Sequence, residues 1–127
     1  MKRDPDLIRE LLQLVEDQCD GVTILESRNI KLGEYSSKQI SYHIAILGDA
    51  GLIMAQSPGF LGGRETNWNI QRLTWEGHEF LAAAGNDQRW ETVKKAMSQV
   101  GGFAYEVAKP VLVEMLKTQL QKMPGVL

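Results

Sequence analysis

The chain has 127 residues, a length typical of one domain with a single ordinary core. Its 14 lysines and arginines are outnumbered by 16 aspartates and glutamates, which gives a net charge of −2. This balance argues against general nucleic-acid binding but leaves room for a local basic patch. The apolar runs are too short to span a membrane, and the single cysteine, Cys19, cannot form an internal disulfide. We therefore expect a cytoplasmic protein.

The first predicted helix begins at Asp4-Pro5-Asp6, because aspartate accepts hydrogen bonds from the first N–H groups of a helix and proline fits its first turn. Gly21 predicts the end of this helical region. The next segment, Val22 to Leu32, contains β-branched residues that favour short strands around a turn at Ser27-Arg28-Asn29. In this interpretation four apolar residues point inward: Val22, Ile24, Ile30 and Leu32.

A central helix is predicted from Ser36 or Ser37 to Gly48, with a serine as N-cap and Gly51 just beyond its end. Four apolar-face residues at helical spacing define its core side: Ile40, His43, Ile44 and Leu47. The remaining residues are expected to face solvent or a partner: Ser37, Lys38, Ser41, Tyr42 and Ala45. A full-length helix is not predicted ahead of this one, which departs from a typical helix-turn-helix.

A β-hairpin is predicted next, with one strand beginning at Leu52-Ile53 and the other spanning Trp68 to Leu73. Residues 56–67 between them contain a proline and three glycines, which predicts a loop. Thr74 then caps a helix that carries Phe80 and Leu81.

Two further helices are predicted after Gly85, the first capped by Asp87. Its apolar residues at helical spacing are Trp90, Val93, Met97 and Val100. The last helix runs from near Phe103 towards Lys122, with a kink or break at Pro110. Its apolar residues lie on more than one side, which fits either packing on the first helix or a homodimer formed through the C-terminal helices.

Two stretches resemble bacterial winged-helix regulators. Residues 40–53, ISYHIAILGDAGLI, are similar to the V-S-x-H-L-x-x-L-x-x-A-G-L pattern of arsenic-repressor-like and multiple-antibiotic-resistance-like proteins. Residues 72–81, RLTWEGHEFL, resemble the L-T-x-x-G-x-x-x-L junction of those families. The resemblance implies an α+β winged helix-turn-helix with a small antiparallel hairpin or three-stranded sheet. It places this domain at residues 1–84 and a helical extension at residues 85–127.

Nearly the whole chain is also similar to a bacterial and phage-associated family of unknown function. The shared pieces are M-K-R-D-x-D-L-I-R at residues 1–9, Y-S-x-x-x-I-x-Y-H at 35–43, A-G-L-I at 50–53 and R-L-T-W-x-G-H-x-F-L at 72–81. This resemblance implies a small accessory or regulatory protein of phage or prophage origin, without an assigned activity.

The winged-helix resemblance makes the solvent face of the central helix and the hairpin loop the candidate DNA-reading surface. The candidate contacts are Ser36, Ser37, Lys38, Gln39, Ser41, Tyr42 and Arg64. The helix has one lysine and no arginine, so DNA contact and a solvated or protein-binding face are both compatible with it. Phe60 and Leu61 in the loop are candidates for contact with a host or phage protein, or for packing on the core.

Catalytic and metal-binding patterns are not found in the sequence. His43, His78 and Cys19 lack metal-ligand spacing, and nothing local places a base beside a nucleophile. The two histidines are interpreted as structural, and no cofactor is expected. The sequence therefore predicts a non-enzymatic DNA-binding transcriptional regulator, with a protein–protein interaction module on the same scaffold as the alternative.

Overall fold

The computed structural model describes residues 1–57 and 67–125. In that part of the chain it contains five α-helices, a short 3₁₀ helix and a three-stranded antiparallel sheet, an α+β arrangement. The helices are α1 (Pro5–Gln18), α2 (Ser37–Asp49), α3 (Trp75–Ala84), α4 (Asp87–Gln99) and α5 (Tyr105–Gln121). The strands are β1 (Leu25–Glu26), β2 (Ile53–Gln56) and β3 (Asn69–Leu73), and the 3₁₀ helix is Ser27–Asn29. The chain divides into two compact units, Met1–Glu79 and Phe80–Leu127.

Helix α1 begins as the sequence predicts. The Asp4 carboxylate accepts hydrogen bonds from the backbone N–H groups of Asp6 at 3.0 Å and Leu7 at 3.2 Å, and Pro5 occupies the first helical position. The buried residues are Leu7, Ile8, Leu11, Leu12 and Val15. Their spacing covers more than a narrow stripe, so α1 packs against both α2 and β3.

The segment after α1 differs from the prediction. Val22 is 84% exposed and Ile24 is 43% exposed, so the expectation that both point inward is wrong. Only the two residues of β1 join the sheet, and Asp20 holds the preceding turn by accepting hydrogen bonds from the N–H groups of Val22 and Thr23. Ile30 is buried as predicted, at the end of the 3₁₀ helix.

Helix α2 has the predicted cap and end. Ser36 is the N-cap, and Gly51 beyond the last turn takes a left-handed backbone with φ of +75°. The four predicted core residues are all buried. Ser41 is buried as well, contrary to the expectation that it faces solvent. The reason is that α2 is covered by α1 and the 3₁₀ helix in addition to β2, which widens its buried face.

The sheet has the strand order β1-β3-β2, so β3 is the central strand. It pairs with β2 along one edge and with β1 along the other. Ile53 lies opposite Leu73 with both side chains buried, and Met54 lies opposite Arg72 with both exposed. One side of the sheet therefore packs on the helices and the other faces solvent.

Helix α3 is fixed to the start of β2 by its first turn. The Thr74 hydroxyl accepts a hydrogen bond from the Gly77 N–H at 3.0 Å and donates one to the Gly51 carbonyl. The Thr74 N–H donates to the Leu52 carbonyl at 3.0 Å. Gly77 lies so close to Leu52 that a Cβ on it would be 2.0 Å from the Leu52 carbonyl oxygen. Only glycine fits here.

The second unit is built from the rest of α3, α4 and α5. The N-cap of α4 is Asn86 and not the predicted Asp87, because the Asn86 side chain accepts the Arg89 N–H at 2.9 Å. Val100 is exposed beyond the helix end, whereas the other three predicted apolar residues of α4 are buried. Helix α5 continues through Pro110 without a break.

Arg89 is a buried cation in this unit. Its guanidinium donates to the carbonyl oxygens of Ala83 at 3.1 Å and Ala82 at 3.4 Å, which lie in the last turn of α3. It also donates to the Gln119 side-chain oxygen. The Arg89 guanidinium therefore donates hydrogen bonds to carbonyl groups at the C-terminus of α3, where no helical N–H is available to them.

Candidate nucleic-acid interface on α2

Two of the candidate DNA contacts are used by the start of α2 itself. The Ser36 hydroxyl accepts the Gln39 N–H at 3.1 Å, and the Gln39 side-chain oxygen accepts the Ser36 N–H at 2.8 Å. This reciprocal pair is a capping box, which satisfies two backbone donors at the helix start. Ser36 and Gln39 therefore define where α2 begins and how its first turn is held.

The exposed candidates on α2 are fewer than the sequence predicts. Ser37, Lys38 and Tyr42 are exposed, whereas Ser41 is buried. The described solvent face thus presents a hydroxyl, an ammonium group and a phenol over the first two turns of the helix. Arg64, Phe60 and Leu61 lie outside the described residues.

The N-terminal end of α1 is joined to α2 through His43. The Asp4 backbone N–H donates to His43 Nε2 at 2.8 Å, and His43 Nδ1 lies 2.7 Å from the Gln39 carbonyl oxygen. Because the Asp4 backbone N–H can only donate, Nε2 is the accepting nitrogen and Nδ1 carries the proton. Both ring nitrogens are satisfied and the side chain is 1% exposed, which assigns His43 a structural role.

Tyr35 makes a second link from α1 to the start of α2. Its hydroxyl forms a hydrogen bond with the Asp4 side chain, and burial together with the negative charge of Asp4 raises the pKa of Tyr35 to about 12. Tyr35 precedes the N-cap Ser36, so Asp4 is attached just before α2 and again at the middle of α2.

The described cations near the start of α2 lie before α1, on α2 itself and on the 3₁₀ helix. Lys2 and Arg3 are exposed immediately before Asp4, and Lys38 is exposed in the first turn of α2. Arg28 in the 3₁₀ helix is already paired with Glu26 at 3.2 Å. Of these cations, Lys38 is the one that lies on the exposed face of α2, in its first turn.

A family comparison places the chain. The model of the family described as "Hypothetical protein (DUF2513)" matches residues 2–104. The chain belongs to the DUF2513 family. An uncharacterized protein of Haemophilus influenzae is 33% identical over 125 residues, which cover 91% of this chain and 99% of that protein. No solved structure matches the chain.

The DUF2513 match ends at residue 104, immediately before α5 begins at Tyr105. The matched segment of this chain therefore contains α1 to α4 and strands β1 to β3. The family description names no activity, so the function must be argued from these residues.

The segments next to β3 carry a second feature, which the sequence interpretation missed. Four large apolar side chains there are exposed: Val22 and Ile24 before β1, Met54 in β2 and Trp75 at the start of α3. The Gly21 N–H donates to the Gln71 carbonyl at 3.2 Å, so the chain before β1 runs along one edge of β3. Met54 lies on the strand at the other edge of β3, opposite Arg72. The sequence offers no sign of this exposure, because the β-branched residues before β1 equally favour an inward-facing strand.

The other titratable candidates have local explanations. His78 Nδ1 lies 3.4 Å from a Glu16 carboxylate oxygen, with both side chains about half exposed. Burial and the neighbouring Asp20 raise the pKa of the Cys19 thiol. Among residues 1–57 and 67–125, histidine, cysteine, aspartate and glutamate side chains form no group of three or more that could hold a metal ion. In the same part of the chain, no helix is long and apolar enough to cross a membrane.

Proposed function

We propose that this DUF2513 protein is a small winged-helix DNA-binding regulator of transcription in which the first half of α2 enters the major groove. The observation that carries the proposal is the arrangement of α1, the 3₁₀ helix and α2 in front of a hairpin whose β3 strand also pairs with β1. In this interpretation the 3₁₀ helix takes the place of the first helix of a helix-turn-helix, and α2 is the recognition helix.

The exposed residues of α2 support this use. Recognition helices contact base edges mainly through their N-terminal residues, and Ser37, Lys38 and Tyr42 are exposed in that half. The capping box fixes the first turn, so these side chains are presented on an ordered backbone. Lys38 would contact a phosphate, while Ser37 and Tyr42 would contact base edges or the sugar–phosphate backbone.

Binding to mixed genomic DNA fragments at low and high salt tests the proposal. The expected result is retardation of DNA at low salt that weakens as the salt concentration rises, because phosphate contacts release counterions. Lys38→Glu should abolish this binding, and Lys95→Glu on α4 is the charge-matched control. Failure of the wild-type protein to retard DNA at the lowest salt would refute the function. Gln39 variants are unsuitable, since they also remove the cap.

The exposed apolar side chains around β3 favour a second candidate, a protein-interaction module. Trp75 is 76% exposed and Val22 is 84% exposed, whereas large apolar side chains of this kind are usually covered in the functional state when they cluster. A host or phage protein would then cover the solvent side of the sheet. Homodimer formation through α5, where Val107 and Val111 are exposed, is a further prediction of the same kind.

A pull-down from bacterial lysate separates the two candidates. A protein captured by the wild type and by Lys38→Glu, but lost with Trp75→Arg, supports the interaction module. Capture that is unchanged by Trp75→Arg argues against the sheet surface as the binding site. Trp75 is a suitable position because its exposed side chain can be replaced without opening the core.

A further inference from the structure

We infer that a second copy of this chain packs antiparallel along the exposed face of α5, with the two-fold axis of the dimer beside Val111. This pairing does not depend on DNA binding. It gives the α5 homodimer a definite orientation and register, which exposed apolar residues alone would not specify.

An apolar groove runs along the exposed face of α5. Val107 is 54% exposed, and Val111 is 45% exposed. Residues four positions apart lie on one side of a helix, so Val107, Val111 and Met115 form one apolar stripe. Most of the groove surface is apolar, and its lining residues are Pro110, Val111, Glu114, Met115, Thr118 and Gln119.

The stripe is matched by a second copy of itself. With an antiparallel copy and an axis beside Val111, that residue meets the partner's Val111. Val107 then meets the partner's Met115, because the two positions are equally far from the axis. A parallel copy would also align apolar residues, so the stripe does not choose between the two orientations.

Two charges beside the stripe select the antiparallel orientation. Glu106 and Lys117 are exposed and about three helical turns apart, so they lie on the same side of α5. Their midpoint falls between Val111 and Leu112, within one position of the axis given by the apolar stripe. An antiparallel copy therefore brings each Glu106 beside the partner's Lys117, about 8 Å from the axis along the helix. A parallel copy would instead place like charges together.

Lys117 can make this contact without losing its present one. Its Nζ lies 3.5 Å from a Glu114 carboxylate oxygen on the same helix, with the two side chains 62% and 71% exposed. Such an exposed pair contributes little stability, and an ammonium group has three N–H donors. Glu114 and the partner's Glu106 therefore share Lys117, which also keeps the Glu114 charge compensated at the edge of the groove.

The size of α5 sets the strength of the dimer. The helix has 17 residues, so it is about 26 Å long and about 10 Å wide. One pair of such helices covers less than the roughly 800 Å² per partner of a standard interface. We therefore expect monomer and dimer to be in an equilibrium that depends on protein concentration.

Disulfide trapping of the full chain in a Cys19→Ser background tests the orientation, because the introduced cysteine is then the only one. Val111→Cys, beside the axis, should form a dimer under mild oxidation. Val107→Cys should not, since antiparallel pairing separates the two copies by about 12 Å along α5, beyond the roughly 7 Å reach of a disulfide. Val100→Cys, which is 79% exposed and outside α5, controls for random collision. Equal trapping at positions 107 and 111 overturns the antiparallel orientation, and trapping at position 111 no faster than at position 100 overturns the interface.

Sedimentation velocity over a range of protein concentrations tests the register through the dimer Kd. Glu106→Lys should raise the Kd by about tenfold, because two exposed attractions become repulsions. Glu106→Lys/Lys117→Glu should restore the wild-type Kd, since each pair is only inverted. A double variant as weak as the single one overturns the register, and a wild type that stays monomeric at the highest concentration overturns the dimer. Circular dichroism should show the same unfolding midpoint for Glu106→Lys as for the wild type, since the side chain is exposed.

Discussion

Gly77→Ala should destabilise the protein although it replaces glycine within a helix. The backbone of α3 approaches the start of β2 so closely that the added Cβ would be 2.0 Å from the Leu52 carbonyl oxygen, 3.1 Å from its carbonyl carbon and 3.4 Å from Leu73 Cβ. Real Cβ atoms essentially never come within 3.0 Å of another heavy atom. Either helix α3 or the backbone at Leu52 must therefore move by about an ångström. Such a movement is costly, because both belong to a packed core.

Three contributions set the magnitude. Alanine is favoured over glycine in a helix interior by about 1 kcal/mol. Forcing extra volume into a packed site costs about 1–3 kcal/mol. Movement at Leu52 also lengthens the Thr74 N–H to Leu52 carbonyl hydrogen bond, now 3.0 Å, at a cost of about 0.5–1.5 kcal/mol. The expected net loss in the free energy of unfolding is about 0.5–3.5 kcal/mol.

Urea unfolding followed by circular dichroism measures this loss, and Gly48→Ala is the matched control. Gly48 also lies within a helix, but nothing is within 4 Å of its added Cβ. The control should be unchanged or more stable by up to about 1 kcal/mol. If Gly77→Ala is as stable as the wild type, the close approach of α3 to Leu52 is wrong. A loss of equal size in Gly48→Ala would mean that the effect does not come from that contact.

Four other changes test the local interactions. Ser36→Ala should lower the free energy of unfolding by about 0.5–2 kcal/mol because it removes the capping box, and Ser37→Ala at an exposed neighbouring position should have a much smaller effect in the same urea titration. His43→Leu keeps the volume but leaves the Asp4 N–H without its acceptor, so a loss of about 1–3 kcal/mol is expected, and no loss would refute the junction. Arg89→Met should reduce thermal stability by leaving the last carbonyls of α3 without a donor, whereas an unchanged melting temperature would argue against this cap. The raised pKa of Tyr35 means that the folded state holds the phenol proton more tightly than the unfolded state. The contribution of Tyr35 to stability is therefore complete below pH 10 and is lost between about pH 10 and 12. The stability difference between wild type and Tyr35→Phe should shrink over that range, and a constant difference would contradict the assignment.

The parts of the fold that depend on neighbouring residues follow from the sequence. A serine cap at Ser36 or Ser37 and a threonine cap at Thr74 are local predictions, and α2 and α3 start directly after Ser36 and Thr74. The predicted N-cap of α4, Asp87, and the observed one, Asn86, are neighbours. Both side chains are good N-caps, and only the backbone geometry decides which of them is used.

The parts that depend on distant residues do not follow in the same way. Helical spacing places His43 in the core, but its partner Asp4 lies 39 positions away, and periodicity does not identify such a partner. Val22 and Ile24 have the composition of an inward-facing strand, yet their direction depends on how far β1 extends along β3. Ser41 is buried because α1 and the 3₁₀ helix cover more of α2 than one stripe of apolar residues indicates.

The acidic composition does not by itself decide the DNA proposal. A net charge of −2 describes the whole chain, whereas association with DNA depends on the field at the contact surface. The Asp4–His43 junction joins the start of α1 to the middle of α2, the helix proposed to read DNA. His43→Leu should therefore weaken DNA binding more than the loss of stability alone accounts for, because it loosens the attachment of α2 to α1. Equal weakening by a variant of the same stability, such as Gly77→Ala, would remove that connection.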